Sequence, residues 1–139
     1  MATTHFPIRL TPLREIFGID LRTLALFRVL LGVYVLIDLT MRARDLGAHY
    51  TDAGILPRGV QIDFLHAATW SLHLANGAAW FQALLFVLAG FAALALIAGW
   101  RTRLMTALSW ALMLSVQNRN TFILSGEDNL ALLMLFWAM

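Results

Sequence analysis

Arg119 stands between two asparagines in a polar run, Ser115 to Asn129, that divides two apolar segments of helix length. A guanidinium keeps its charge at any physiological pH and presents five donors, so in an apolar setting it needs a carboxylate, a polar headgroup or a wet pocket. The groups able to answer it are the carboxylates Asp38, Asp52, Glu127 and Asp128, the phenol of Tyr50, and the amides of Asn118 and Asn120. Together they offer either a structural ion pair between helices or a site for the polar end of a substrate or lipid.

What must position these residues is membrane-like sequence. Of the 139 residues, 60% are hydrophobic and 13% charged, and the mean hydropathy is +0.75. That composition belongs to integral membrane proteins. The ten basic residues are all arginine, scattered between apolar segments rather than gathered in a patch, which argues against nucleic-acid binding. With no cysteine, disulfides, thiolate metal sites and cysteine nucleophiles are excluded.

Residues 1–20 read as an N-terminal segment whose Thr11-Pro12 starts a short interfacial helix. Asp20 caps a first span, Leu21 to Met41, with Ile19 and Leu24 as a staple. Within it, Arg28 can snorkel toward the N-terminal interface and Asp38 can pair with Arg42 one turn on. Residues 42–77 form a loop with its own structure, including a helix over Val60 to Leu74. His66, Trp70 and His73 share a face of that helix, and a metal site would need His49 or Asp52 as well; an interfacial face is the plainer account. The second span is bracketed by Trp80 and Trp100, with Ala89, Ala93, Ala95 and Gly99 spaced for close helix approach.

The apolar run Leu104 to Val116 has 13 residues, about 20 Å of helix against a hydrocarbon core of about 30 Å. A third span must therefore carry on through Gln117, Asn118, Arg119 and Asn120 to about Leu124. Thr106, Ser109, Met113, Gln117 and Asn120 make one semi-polar stripe on it, facing the bundle interior. Ser125 to Asp128 has capping-box spacing, and capping alone would account for Glu127 and Asp128. The fourth helix reads as the start of a span, leaving the 21–139 domain incomplete at its C-terminus. The fold expectation is an all-α integral membrane bundle of three full spans and the start of a fourth.

With the N-terminus cytoplasmic, Arg9, Arg14, Arg22, Arg101 and Arg103 lie inside, and Arg42, Arg44, Arg58 and Arg119 outside. Five against four favours that orientation, in an inner or plasma membrane. In either orientation Asp38, Tyr50, Asp52, Asn118, Arg119, Asn120, Glu127 and Asp128 share one side. Asp38 and Asp128 are the carboxylates at a depth matching Arg119, and so its expected partners.

Taken in order, Leu26-Phe27-Arg28 with Gly32 and Asp38, His49 to Arg58, Trp70-Ser71-Leu72-His73, Gly99 to Arg103, and Asn118-Arg119-Asn120 with Gly126-Glu127-Asp128 form a set. It resembles the N-terminal part of the HTTM (horizontally transferred transmembrane) domain, of the vitamin K-dependent gamma-carboxylase-like family. The resemblance implies a multi-helix membrane fold and a reduced quinone such as vitamin K hydroquinone as cofactor. In carboxylase members an essential lysine in a later helix is the base; this chain has no lysine, so that role cannot be filled from here. Three functions follow for comparison: a membrane enzyme acting on a quinone-like or lipidic substrate, a non-catalytic scaffold or partner-binding module, and half of a transporter. No internal inverted repeat supports the last. Protein partners are not readable from the sequence.

Overall fold

A computed structural model of the chain describes residues 21–64 and 70–139, and every regular element among them is helical. The expected interfacial helix, the Asp20 cap and His66 lie outside the described residues. In chain order the elements are α1 (Leu21–Arg44), α2 (Leu46–Tyr50), α3 (Arg58–Phe64), a 3-10 turn (Leu72–Leu74), α4 (Ala79–Ala98), α5 (Thr102–Arg119), a second 3-10 turn (Thr121–Ile123) and α6 (Gly126–Trp137).

Two helices, α1 with 24 residues and α4 with 20, are long and apolar enough to cross a membrane. α4 is central and packs on α1, on α5 and on α2; α5 in turn packs on α6, which also reaches α1. The first contact depends on small residues. A Cβ at Gly32 of α1 would stand 2.6 Å from Cγ1 of Ile97 and 3.2 Å from the carbonyl oxygen of Ala93. Ala89 and Ala93 are fully covered on the facing side of α4. Lacking bulk at these positions, the two backbones approach closely and gain dispersion contact along the seam. The outward side chains stay large and apolar: Val87 is 68% and Phe91 58% exposed.

α4 ends in a Schellman arrangement, with Gly99 at φ 79°, Gly99 N–H bonded to Leu96 O and Trp100 N–H to Ala95 O. Arg101, also left-handed at φ 41°, completes the reversal, with its guanidinium 5.9 Å above the Trp100 ring. Trp80 and Trp100 sit exposed at the two ends of α4, where the sequence placed them. Arg28 does not extend into open water: its guanidinium lies over Gly99, at the carbonyl end of α4 that favours a cation.

Two expectations fail here. α5 starts at Thr102 and stops at Arg119, with Asn120 extended, rather than running on to Leu124. The reason is local. Asn120 Oδ1 accepts the Phe122 N–H and its Nδ2 donates to His49 O, so the loop satisfies the polar end of the helix and the backbone turns. Nor is Val60 to Leu74 one helix; α3 covers Arg58–Phe64, and the described chain resumes at Trp70 outside any helix. The semi-polar stripe is buried throughout, at Thr106, Ser109, Met113 and Gln117 on α5 and at Asn120 just beyond its end.

Candidate functional site

Asp38 and Arg42 lie one turn apart near the end of α1, and the local pair forms: Arg42 Nε donates to both carboxylate oxygens, at 2.9 and 2.8 Å. The same guanidinium reaches across the bundle. Its Nη2 donates to Asp128 Oδ1 on α6, and its Nη1 to the Tyr50 hydroxyl oxygen at 3.2 Å. Arg42 thus joins α1, α2 and α6. Asp128 also closes the expected capping box, its Oδ2 accepting from Ser125 N–H at 2.8 Å, and its carbonyl accepts from Gln117 Nε2 at 3.1 Å. Capping and ion pairing are therefore served by different oxygens of one side chain.

Arg119 pairs with neither Asp38 nor Asp128. It is fully buried; Nη1 donates to Leu56 O at 3.0 Å, and Nη2 lies 3.5 Å from Asp52 Oδ1. Arg42 lies nearer the two aspartates and on the same helix as one of them, so it takes both, and Arg119 turns under the loop. Asp52 is held mainly by Arg58, through Nε at 3.0 Å and the backbone N–H at 3.1 Å. Asn118 Nδ2 bonds Trp70 O at 2.8 Å. Asn118 and Asn120 thus tie the loop to the end of α5.

The single cluster read from the sequence divides in two. Asp38, Tyr50, Glu127 and Asp128, with Arg42, line a cavity of about 450 Å³. Asp52, Asn118, Arg119 and Asn120 do not line it; they bond instead to Arg58, Trp70, Leu56 and His49. A second, apolar groove of about 240 Å³ runs between α1 and α6 past Phe27, Leu30, Leu130 and Met134. Tyr34 and Glu127 line both, so groove and cavity meet there. The cavity wall is acidic, with Asp45 and Glu127 adding to a pair of carboxylates that share one arginine. Burial raises the Tyr50 phenol above its ordinary range, and the opposing pull of Arg42 is smaller, so at neutral pH it keeps its proton. The Glu127 carboxylate makes no hydrogen bond or ion pair among the described residues.

Sequence reading missed a second polar core. His73 and Gln82 are both fully buried, with His73 Nδ1 and Gln82 Oε1 2.5 Å apart. Gln82 Nε2 donates to the carbonyls of His73 and Asn76, so Oε1 must accept, which puts the proton on Nδ1 and leaves Nε2 a bare acceptor. Desolvation pushes His73 down to about 4, against the Gln82 bond; the Arg119 charge adds to the lowering. Ser115 Oγ accepts from the N–H groups of Leu72 and His73 and fixes this turn against α5. A glutamine inside the apolar α4 was the available signal. No group of three or more metal-ligating side chains gathers among the described residues.

The chain matches no family model, no curated protein and no solved structure.

Proposed function

We propose that the chain is an integral membrane protein of the HTTM and gamma-carboxylase-like kind, whose acidic cavity receives the polar end of a quinone-like or lipidic amphiphile. The observation that carries this reading is the meeting of an apolar groove with a polar cavity at Tyr34 and Glu127. An amphiphile lying in the plane of a leaflet has that same division. The membrane setting is supported by the length and apolarity of α1 and α4 and by the large apolar side chains they expose. α5 is the third span, and α6 enters the bilayer as the fourth.

A reduced quinone fits the residues present: the carboxylates of Asp38 and Glu127 can accept from ring hydroxyls, Tyr50 can donate, and the groove is apolar along its length. Such a quinol would supply protons and electrons when bound. This chain's own part is to hold it: Arg42 fixes the orientation of Asp38, Tyr50 and Asp128, and the groove sets the depth of the apolar body.

The test is binding of a short-chain quinol to the protein in detergent micelles, followed by tryptophan fluorescence. Leu130→Trp, placed at an exposed groove position, should weaken binding by about tenfold or more by filling the groove. Tyr50→Phe, which keeps the packing, should weaken it by a few-fold through one lost hydrogen bond. Unchanged binding in Leu130→Trp would remove the groove from the reading. A second reading, a scaffold whose polar residues only lock helices together, is favoured by the mutual satisfaction of Arg42, Asp38 and Asp128; it predicts no quinol binding at all.

A further inference from the structure

Charge is divided between the two ends of the bundle. Every carboxylate side chain among the described residues lies toward the end where α4 begins and α5 stops, from Asp38 on α1 to Asp128 on α6. The other end, where α4 turns into α5, carries Arg28, Arg101 and Arg103, and none of the three joins an ion pair among the described residues. Arg28 is half-buried over Gly99 and has the carbonyl end of α4 as a partial counter-charge. Arg101 and Arg103 have the opposite setting. Both are exposed at the start of α5, which opens without a side-chain cap, so the helix field there repels a cation. Two guanidinium groups held against that field call for an anion. Beside them lies an apolar shelf: Trp100 is 53% and Phe91 58% exposed, with ring centroids 6.3 Å apart, and Arg101 stacks on Trp100 at 5.9 Å.

We propose that the α4–α5 turn binds the headgroup of an anionic phospholipid, with Arg101 and Arg103 at the phosphate and an acyl chain along Trp100 and Phe91. The site is distinct from the acidic cavity and rests on the amphiphile reading only for its membrane setting. Net charge selects the lipid, because a zwitterionic headgroup brings its own cation and leaves the arginines unbalanced. The shelf selects a lipid over a free phosphate, which has no apolar part to cover it.

The experiment places the purified full chain in phosphatidylcholine vesicles and measures tryptophan quenching by brominated phosphatidylglycerol or brominated phosphatidylcholine at the same mole fraction. Phosphatidylglycerol should bind at Trp100 roughly fivefold more strongly than phosphatidylcholine, and Trp100→Phe should remove most of that difference. Arg101→Gln with Arg103→Gln, at two exposed positions, should bring the two lipids level. Arg44→Gln, an equal loss of charge per site at the opposite end, should leave the preference as it was. Equal quenching by the two lipids in the unaltered chain overturns the proposal, as does a preference that survives the double variant. If inorganic phosphate at constant ionic strength abolishes the preference, the turn takes the free anion and the lipid assignment falls. Quenching by neither lipid removes the membrane setting and this site with it, whereas a failure of quinol binding alone leaves the site standing.

Discussion

Arg42→Gln removes the cation that joins α1, α2 and α6, and its cost can be worked from the surroundings. Asp38 and Asp128 are 16% and 4% exposed at the side chain, and Arg42 itself 10%. Deleting one partner of a buried ion pair costs about 3–5 kcal/mol, because a carboxylate is left uncompensated. Two features reduce that figure. Asp128 keeps its bond to the Ser125 N–H and the favourable N-terminal field of α6, worth about 0.5 kcal/mol or more. Asp38 sits nearer the solvent and is screened there. The expected loss is therefore about 3 kcal/mol, against less than about 1 kcal/mol for Arg58→Gln, whose side chain is 42% exposed. The assay is unfolding in mixed micelles followed by circular dichroism, for Arg42→Gln, Asp128→Asn and the double variant. Because the two side chains touch, the double variant should be less destabilised than the sum of the singles by about 2 kcal/mol. Additive losses, within about 0.5 kcal/mol, would refute the coupling across the helices.

Three further outcomes follow from other parts of the structure. His73 titrates at about 4 in the folded chain, below the ordinary value of 6.5; a lowered histidine binds fewer protons folded than unfolded, so its share of stability is complete above about pH 6.5 and is lost as pH falls toward 4, by up to roughly 3 kcal/mol. His73→Asn, which retains a donor for Gln82, should flatten that part of the stability profile, and identical profiles would exclude the buried neutral histidine. Gly32→Ala should destabilise by about 1–3 kcal/mol through overpacking against Ile97 and Ala93, whereas Gly90→Ala, with nothing within 4 Å of its Cβ, should be neutral or mildly stabilising. For the proposed topology, with the N-terminus cytoplasmic, Ala53→Cys should react with an impermeant thiol reagent in intact cells and Thr102→Cys should not; the reverse pattern would invert the orientation.

Much of the helical frame follows from the sequence alone, because long apolar runs ended by Gly, Trp and Arg leave little choice. The ends of α4, the reversal at Gly99 to Arg103, the capping box at Ser125 and the buried stripe of α5 are all set by residue type and spacing within a turn or two. The Asp38–Arg42 pair is legible for the same reason: its partners are neighbours on one helix. The partners of Arg119 and Asp128 are not. Connectivity puts Asp38, Asp52, Asp128, Arg42 and Arg119 on one side, but which cation meets which carboxylate depends on helix rotation and on how the loop folds back. Tertiary packing gave both cavity aspartates to Arg42 and drew Arg119 under Leu56 and Asp52. The end of α5 was decided likewise, because the carbonyls of Trp70, Leu56 and His49, distant in sequence, accept from Asn118, Arg119 and Asn120 and satisfy its polar end without further helix. Local chemistry fixes the elements; the pairing of charges between them exists only once a particular packing has chosen among several of similar local merit.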